Sequence, residues 1–129
     1  MNNSTLATLI TRLDRHARGE SGHWEFLVGG RTLICLTDEV HDRMRVITPI
    51  LSALELDEAT WERCLEANFD RALDARYCLF RRQLWSAFIH PLGSLTEEQF
   101  ASGVRQVVKL ADNFGGSYSS GELVFAGGH

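Results

Sequence analysis

What this chain lacks narrows it first. It has no surplus of positive charge, since 13 Lys and Arg stand against 17 Asp and Glu, for a formal net charge of −4. Non-specific nucleic-acid binding needs a basic field, so nucleic acid is not expected as a partner. No apolar run approaches the ~18 residues needed to cross a bilayer. The opening residues MNNSTLATLITRLDRHARG hold neither a basic leading region nor a cleavable apolar core. No membrane is expected as a partner, and a cytoplasmic location is the corresponding expectation. The patterns Asn2-Asn3-Ser4 and Asn3-Ser4-Thr5 fit glycosylation but mean nothing without secretion. Cysteines are few: Cys35, Cys64 and Cys78 are odd in number and form no C-x-x-C pair, so they read as buried thiols behaving as small hydrophobes.

Reactive chemistry is equally scarce. The P-loop, the dinucleotide G-x-G-x-x-G, H-E-x-x-H and G-x-S-x-G are all missing. A cysteine nucleophile needs a neighbouring base, and none of His16, His23, His41, His90 or His129 can be tied to one by sequence. No catalytic residue, metal or cofactor is therefore expected. The loop Asp38-Glu39-Val40-His41-Asp42 puts four potential ligands in five residues and raises the question of a divalent ion. Without a glycine-shaped loop or a second ligand cluster, it reads as a solvated hairpin loop. The Gly-Ser-rich stretch Gly115–Gly121 follows a helix, where phosphate cradles precede one, and so reads as a flexible exit to a short apolar segment, Leu123-Val124-Phe125.

What is present is organised around Leu56–Phe114. Over Asp57–Leu73, Trp61, Cys64, Leu65, Asn68, Phe69 and Ala72 recur at spacings of three and four, which predicts an amphipathic helix. The period then changes. Ala75–Phe80 and Leu84–His90 are rich in aromatic and β-branched residues and flank the polar Arg81-Arg82-Gln83, which predicts two antiparallel strands. A last helix starts at Thr96. With Thr96 as N-cap and Gln99 at N3 the two side chains can close a capping box, and Leu95 and Phe100 stand at the staple positions. Glu97 and Glu98 then serve the helix dipole; as a catalytic pair they would point about 100° apart. The helix runs through Val104, Val107, Val108 and Ala111 to a stop at Gly115-Gly116.

Upstream, Ser4–Arg18 predicts a helix with Leu6, Leu9, Ile10, Leu13 and Ala17 on one face. Trp24–Val28 and Arg31–Leu36 predict a hairpin across Gly29-Gly30, with Phe26 opposite Leu33 and Trp24 opposite Cys35. Met44–Ile50 predicts a third strand, with Pro49 at a strand end or an edge. The order is α-β-β-β-α-β-β-α in one α+β domain, 1–129, with 115–129 as a flexible or accessory tail.

Two surfaces stand out. Leu27, Ile34 and Leu36 make the strands apolar on a second face, which suggests burial by a partner. With the amphipathic helix, this predicts a homodimer whose interface draws on Trp61, Leu65, Phe69 and Trp85. Asn68 lies on the apolar stripe and needs a partner if buried: either another chain or the loop before Arg76. The three tryptophans are otherwise core residues.

This element order, with Leu65-Glu66-Ala67-Asn68-Phe69 like the end of that family's middle helix and Ala75-Arg76-Tyr77-Cys78-Leu79 and Leu84-Trp85 like its hairpin, resembles the small class I type III secretion chaperones and the YbjN-like proteins of the same fold. The resemblance spans about Leu6 to Phe114. It implies two layers, a twisted antiparallel sheet packed against helices, a homodimer, and protein binding without catalysis. It further implies that a client segment is held along strand edges and apolar pockets, with Trp24, Leu27, Ile34 and Leu36 as the apolar area and Arg31, Arg43 and Arg45 as the rim. These residues could instead form a second core layer beneath the first helix. A regulatory or structural interaction protein of the same fold, and a small enzyme, are the alternative readings. Two features depart from the family: Arg-Arg-Gln at the hairpin turn, and the tail beyond Gly115.

Overall fold

A computed structural model describes residues 1–121 of the chain. The elements are α1 (Asn3–Leu13), β1 (Arg18–Glu20), β2 (His23–Val28), β3 (Arg31–Asp38), β4 (Arg43–Ser52), a 3-10 turn (Ala53–Glu55), α2 (Glu58–Asp70), β5 (Arg76–Phe80), β6 (Gln83–His90) and α3 (Glu97–Asp112). The six strands form one antiparallel sheet ordered β1-β2-β3-β4-β6-β5. The expected order is therefore realised with one addition, the short strand β1.

That addition shortens the first helix. Asn2 caps it by accepting the Thr5 N–H at 2.9 Å. It ends at Leu13, well before Arg18, because Asp14 turns out of the helix. The Asp14 carboxylate then accepts the N–H groups of His16 and Leu27, each at 2.9 Å. Ala17 continues the apolar period without being helical. Gly19 takes a positive φ where an added Cβ would collide with the His23 carbonyl, so the backbone closes on β2 there.

The β2–β3 register matches the expected one, with Val28 on Arg31, Phe26 on Leu33 and Trp24 on Cys35. Gly29 and Gly30 both adopt positive φ, as a two-residue hairpin of this hand requires. Pro49 lies beyond the last β3–β4 pair, Ile34 on Ile47, so β6 alone flanks β4 there, and the β6 ladder shifts register just after it, between Pro49 and Leu51. The open side of the strand is an edge, as proline requires, and the Thr32 carbonyl opposite is met by Thr48 Oγ1 instead.

Alternation along the strands separates two faces. Trp24, Phe26, Leu33, Cys35, Met44, Val46, Leu84 and Phe88 belong to the buried cluster that also holds Leu6 and Ile10 of α1 and Phe100, Val104 and Val107 of α3. Each such aliphatic or aromatic side chain contributes about 1.5–3 kcal/mol on full burial. Polar groups on this face are partnered: Ser86 Oγ donates to the Val107 carbonyl at 2.9 Å and Thr48 Oγ1 to the Thr32 carbonyl at 2.8 Å. Arg31 reaches Asp112 on α3 at 2.7 Å.

Helix α2 stands at the free edge of β5. Cys64 and Ala67 are its buried residues, and Asn68 meets the backbone of Tyr77. The amide thus bridges to β5 itself, two residues beyond the end of the expected loop. The capping box at Thr96 is present, with Gln99 N–H on Thr96 Oγ1 at 3.1 Å and Thr96 N–H on Gln99 Oε1 at 2.9 Å.

Residues 115–121, read from sequence as a flexible exit, fold back onto the molecule. Tyr118, Ser119 and Ser120 are buried, Tyr118 packs edge-on against Tyr77 and Phe114, and Ser120 Oγ accepts the Leu73 N–H. Gly115 supplies the positive φ of the turn, with open space around it, and Gly121 lies close against Leu73. Leu123-Val124-Phe125 lies outside the described residues.

Candidate functional site

The helix-free face of the sheet carries the chain's open apolar surface. Leu27 (β2), Ile34 and Leu36 (β3), Arg45 and Ile47 (β4), Trp85, Ala87 and Ile89 (β6) and Cys78 and Phe80 (β5) alternate with the core residues and so point away from α1 and α3. A groove of about 410 Å³ runs across this face, lined by Leu36, Ile47, Phe80, Trp85 and Ile89 with Arg45 at its rim. Its floor spans β3, β4 and β6 and reaches the edge strand β5 through Cys78 and Phe80. Trp85 is fixed by its own polar end, as Nε1 donates to the Phe80 carbonyl at 3.2 Å.

The residues expected to bind a partner divide between the two faces. Leu27, which is 55% exposed, shares the outer face with Ile34, Leu36 and Arg45. Trp24 is only 5% exposed and belongs to the helix-covered core. Arg31 also points to the helix side, where Asp112 holds it. Period-two alternation separates both from Leu27, so neither can line one surface with it. Arg43 shares the outer-face parity of Arg45 and is exposed. Of the residues expected at a dimer interface, Leu65 and Phe69 are 68% and 89% exposed on α2. Trp61 is partly buried against the core, and Trp85 lies half-buried on the outer sheet face.

The outer-face residues that the sequence reading passed over are Ile47, Phe80 and Ile89. A signal for them existed: Trp85, Ala87 and Ile89 alternate with Leu84, Ser86 and Phe88, so the face of Trp85 extends to Ile89.

A second, more polar hollow of about 550 Å³ lies where β6 runs past the end of β5, among Asp74, Arg76, His90, Glu98, Gln99 and Ser102. Its groups are mainly engaged in the fold. Arg76 donates to the Leu73 and Ala75 carbonyls, and Gln106 anchors Asp74 through its backbone N–H at 2.7 Å and its carboxylate at 3.3 Å. His90 contacts the Pro91 carbonyl through Nδ1 at 2.8 Å.

The histidine–carboxylate pairing that would favour an enzyme occurs at His41 and Asp38, 2.8 Å apart, on an exposed turn away from either groove. The acidic residues of that turn face separate structural partners. Asp38 accepts the His41 N–H, Glu39 takes the Asn3 amide, and Asp42 accepts the Gly93 N–H at 2.7 Å. Among the described residues, no three His, Cys, Asp or Glu side chains come together as metal ligands. All three cysteines are free. Burial pushes the Cys35 thiol up to about 12 and Cys64 up to about 11, and raises Cys78 as well. Thiols so disfavoured as thiolates are poor nucleophiles at neutral pH. No helix among the described residues is long and apolar enough to cross a membrane.

No family model and no curated protein matches the sequence. Solved structures do match the fold. A chaperone–effector complex, HopA1–SchA, aligns with a TM-score of 0.64 at 11% identity, over 87% of this chain and 94% of the other. The ExsC–ExsE complex gives 0.63 at 14% identity, over 98% and 99% of the two chains. The Yersinia pestis type III secretion chaperone SycH, in complex with a stable fragment of YscM2, gives 0.62 at 16% identity, over 87% and 98%. At such identities the similarity is one of architecture. The YbjN-like part of the sequence resemblance rests on the sequence alone. With three helices on a six-stranded antiparallel sheet among its described residues, the chain has the α+β fold of the type III secretion chaperones.

Proposed function

We propose that this chain is a non-catalytic protein-binding module that works as a homodimer and holds a segment of a client protein. The observation that carries this reading is the uncovered apolar face of the sheet: Leu36, Ile47, Phe80, Trp85 and Ile89 are left without helices over them, while the other face holds the buried core under α1 and α3. A monomer seldom leaves so continuous an apolar surface in water unless a partner covers it. The fold supports the same reading, since the similar structures include a chaperone with its effector and a chaperone with a partner fragment. Leu27 and Ile34, with Arg45 as rim, extend the apolar area toward β2. Leu65 and Phe69 on α2, with Trp61 and Trp85, supply the dimer contact.

The test is co-purification with the products of neighbouring genes, followed by limited proteolysis of the captured complex. A client segment protected only while bound, and held without its own tertiary structure, is the expected result. Capture of a folded, protease-resistant partner would favour a regulatory interaction protein instead.

A further inference from the structure

We propose that the β5–β6 hairpin tip of one copy seats on the acidic, apolar stripe of α2 in a second copy, so that Arg81 and Arg82 of one protomer meet Glu62 and Glu66 of the other. This rests on the dimeric reading above and assigns its contacts. The stripe follows from helical geometry. On α2 the buried side is marked by Cys64 and Ala67. Glu58, Glu62, Leu65, Glu66 and Phe69 fall within roughly 100° of arc on the opposite side, and all five are exposed. Two large apolar side chains are thus framed by three carboxylates.

Two copies of α2 packed directly on each other about a two-fold axis would bring six carboxylates together without a cation. Arg63, the other charged residue in this part of α2, lies off the stripe. The missing cations are at the hairpin tip. Arg81 and Arg82 both adopt positive φ, of 51° and 61°, which for side-chain-bearing residues is strained. The turn is held by the Ala53 N–H, which donates to the Arg82 carbonyl at 2.9 Å. Both arginines are exposed, and the Arg81 guanidinium lies 5.0 Å over the Phe80 ring. The tip therefore presents cations next to an exposed aromatic ring, with exposed Leu79 close by in the chain and exposed Leu54 adjoining Ala53, whose N–H holds the turn. Among the described residues, neither arginine and none of Glu58, Glu62 and Glu66 forms an ion pair within the chain. The stripe offers carboxylates beside Leu65 and Phe69; the tip offers guanidinium groups beside Phe80. A two-fold axis makes this contact twice, because residue i meets j and j meets i.

The experiment is sedimentation velocity across a concentration series on four samples: the wild type, R81E/R82E, E62K/E66K, and an equimolar mixture of the two variants. The wild type is expected to be a dimer. Each variant alone should dissociate about tenfold more readily, from the loss and reversal of rim charge pairs. The mixture should recover the dimer, since both contacts of the mixed pair then join opposite charges. That recovery also excludes misfolding as the cause of weakening. If the wild type dimerises and either variant dimerises equally well, or the mixture fails to recover, the pairing is overturned while the dimer stands. If the wild type is monomeric throughout, the dimer and the pairing both fall.

Discussion

Asn68 takes both backbone groups of Tyr77, donating Nδ2–H to its carbonyl at 3.0 Å and accepting its N–H on Oδ1 at 2.8 Å. One side chain from α2 thereby does for Tyr77, at the edge of β5, what a neighbouring strand would do. Asn68→Ala leaves two partly buried main-chain groups without partners. It should lower stability by about 2–3 kcal/mol, read from urea denaturation. An equal melt would show that water replaces both bonds at no cost.

Gly103 lies mid-way along α3, where an added Cβ would stand 2.5 Å from the Phe88 ring. Helix propensity alone favours Gly103→Ala by roughly 1 kcal/mol. Overpacking against a buried aromatic costs about 1–3 kcal/mol and should win. A lower thermal midpoint is expected, and a raised one would mean that Phe88 can step aside.

Thr96→Ala removes one half of the reciprocal cap at the start of α3 and should cost about 1 kcal/mol in a thermal or urea melt. Partner capture is expected to be unchanged, because Thr96 does not line the groove of the outer sheet face. This helix start was legible in the sequence because its signals are local: a hydroxyl, an amide three residues on, and flanking apolar residues. The β2–β3 register was legible for the same reason, through Gly29-Gly30. Long-range features were less visible. No local pattern says that Asp14 will leave α1 to accept the Leu27 N–H, so the apolar period overstates the helix, and Arg18-Gly19-Glu20 is too short and polar to signal β1. The family resemblance places Trp24 and Arg31 with Leu27, whereas strand alternation assigns them to the other face. The burial of Tyr118 depends on Tyr77 and Phe114, far apart in sequence, and glycine-rich composition points the opposite way.

Leu27→Ser with Ile34→Ser tests whether the outer face binds or merely packs. Leu27 is exposed and Ile34 half-buried. The pair should therefore cost about 1 kcal/mol, where two core aliphatics would cost several. Client capture should fall sharply. A loss of several kcal/mol would identify these residues as core, and unchanged capture would move the client site elsewhere on the sheet.

Acid should weaken the fold through three aspartates. Asp14 is lowered by accepting the Leu27 N–H first and the His16 N–H second, Asp38 by its hydrogen bonds to His41, and Asp57 by its hydrogen bonds to Thr60. Each carboxylate is therefore more acidic folded than unfolded. Its stabilisation is complete above the unfolded value, about 3.9, and is lost as pH falls through the folded one. Urea midpoints should decline over that acid range, and the decline should be shallower in Asp14→Asn and Asp57→Asn. Equal slopes in the variants would assign acid sensitivity to other groups.

The strand order β1-β2-β3-β4-β6-β5 has a consequence for how the chain assembles. Four of its five strand pairs are sequential neighbours that can form as hairpins, each closing a short loop. Only β4 and β6 are brought together across a long excursion, through the 3-10 turn, all of α2 and β5. Closing that excursion costs the most chain entropy of any step in building the sheet. The β4–β6 seam is therefore where two locally formed sub-sheets dock and become one cooperative unit. It also runs beneath Ile47, Ala87 and Ile89, so the groove on the outer face comes into being only when that docking is complete.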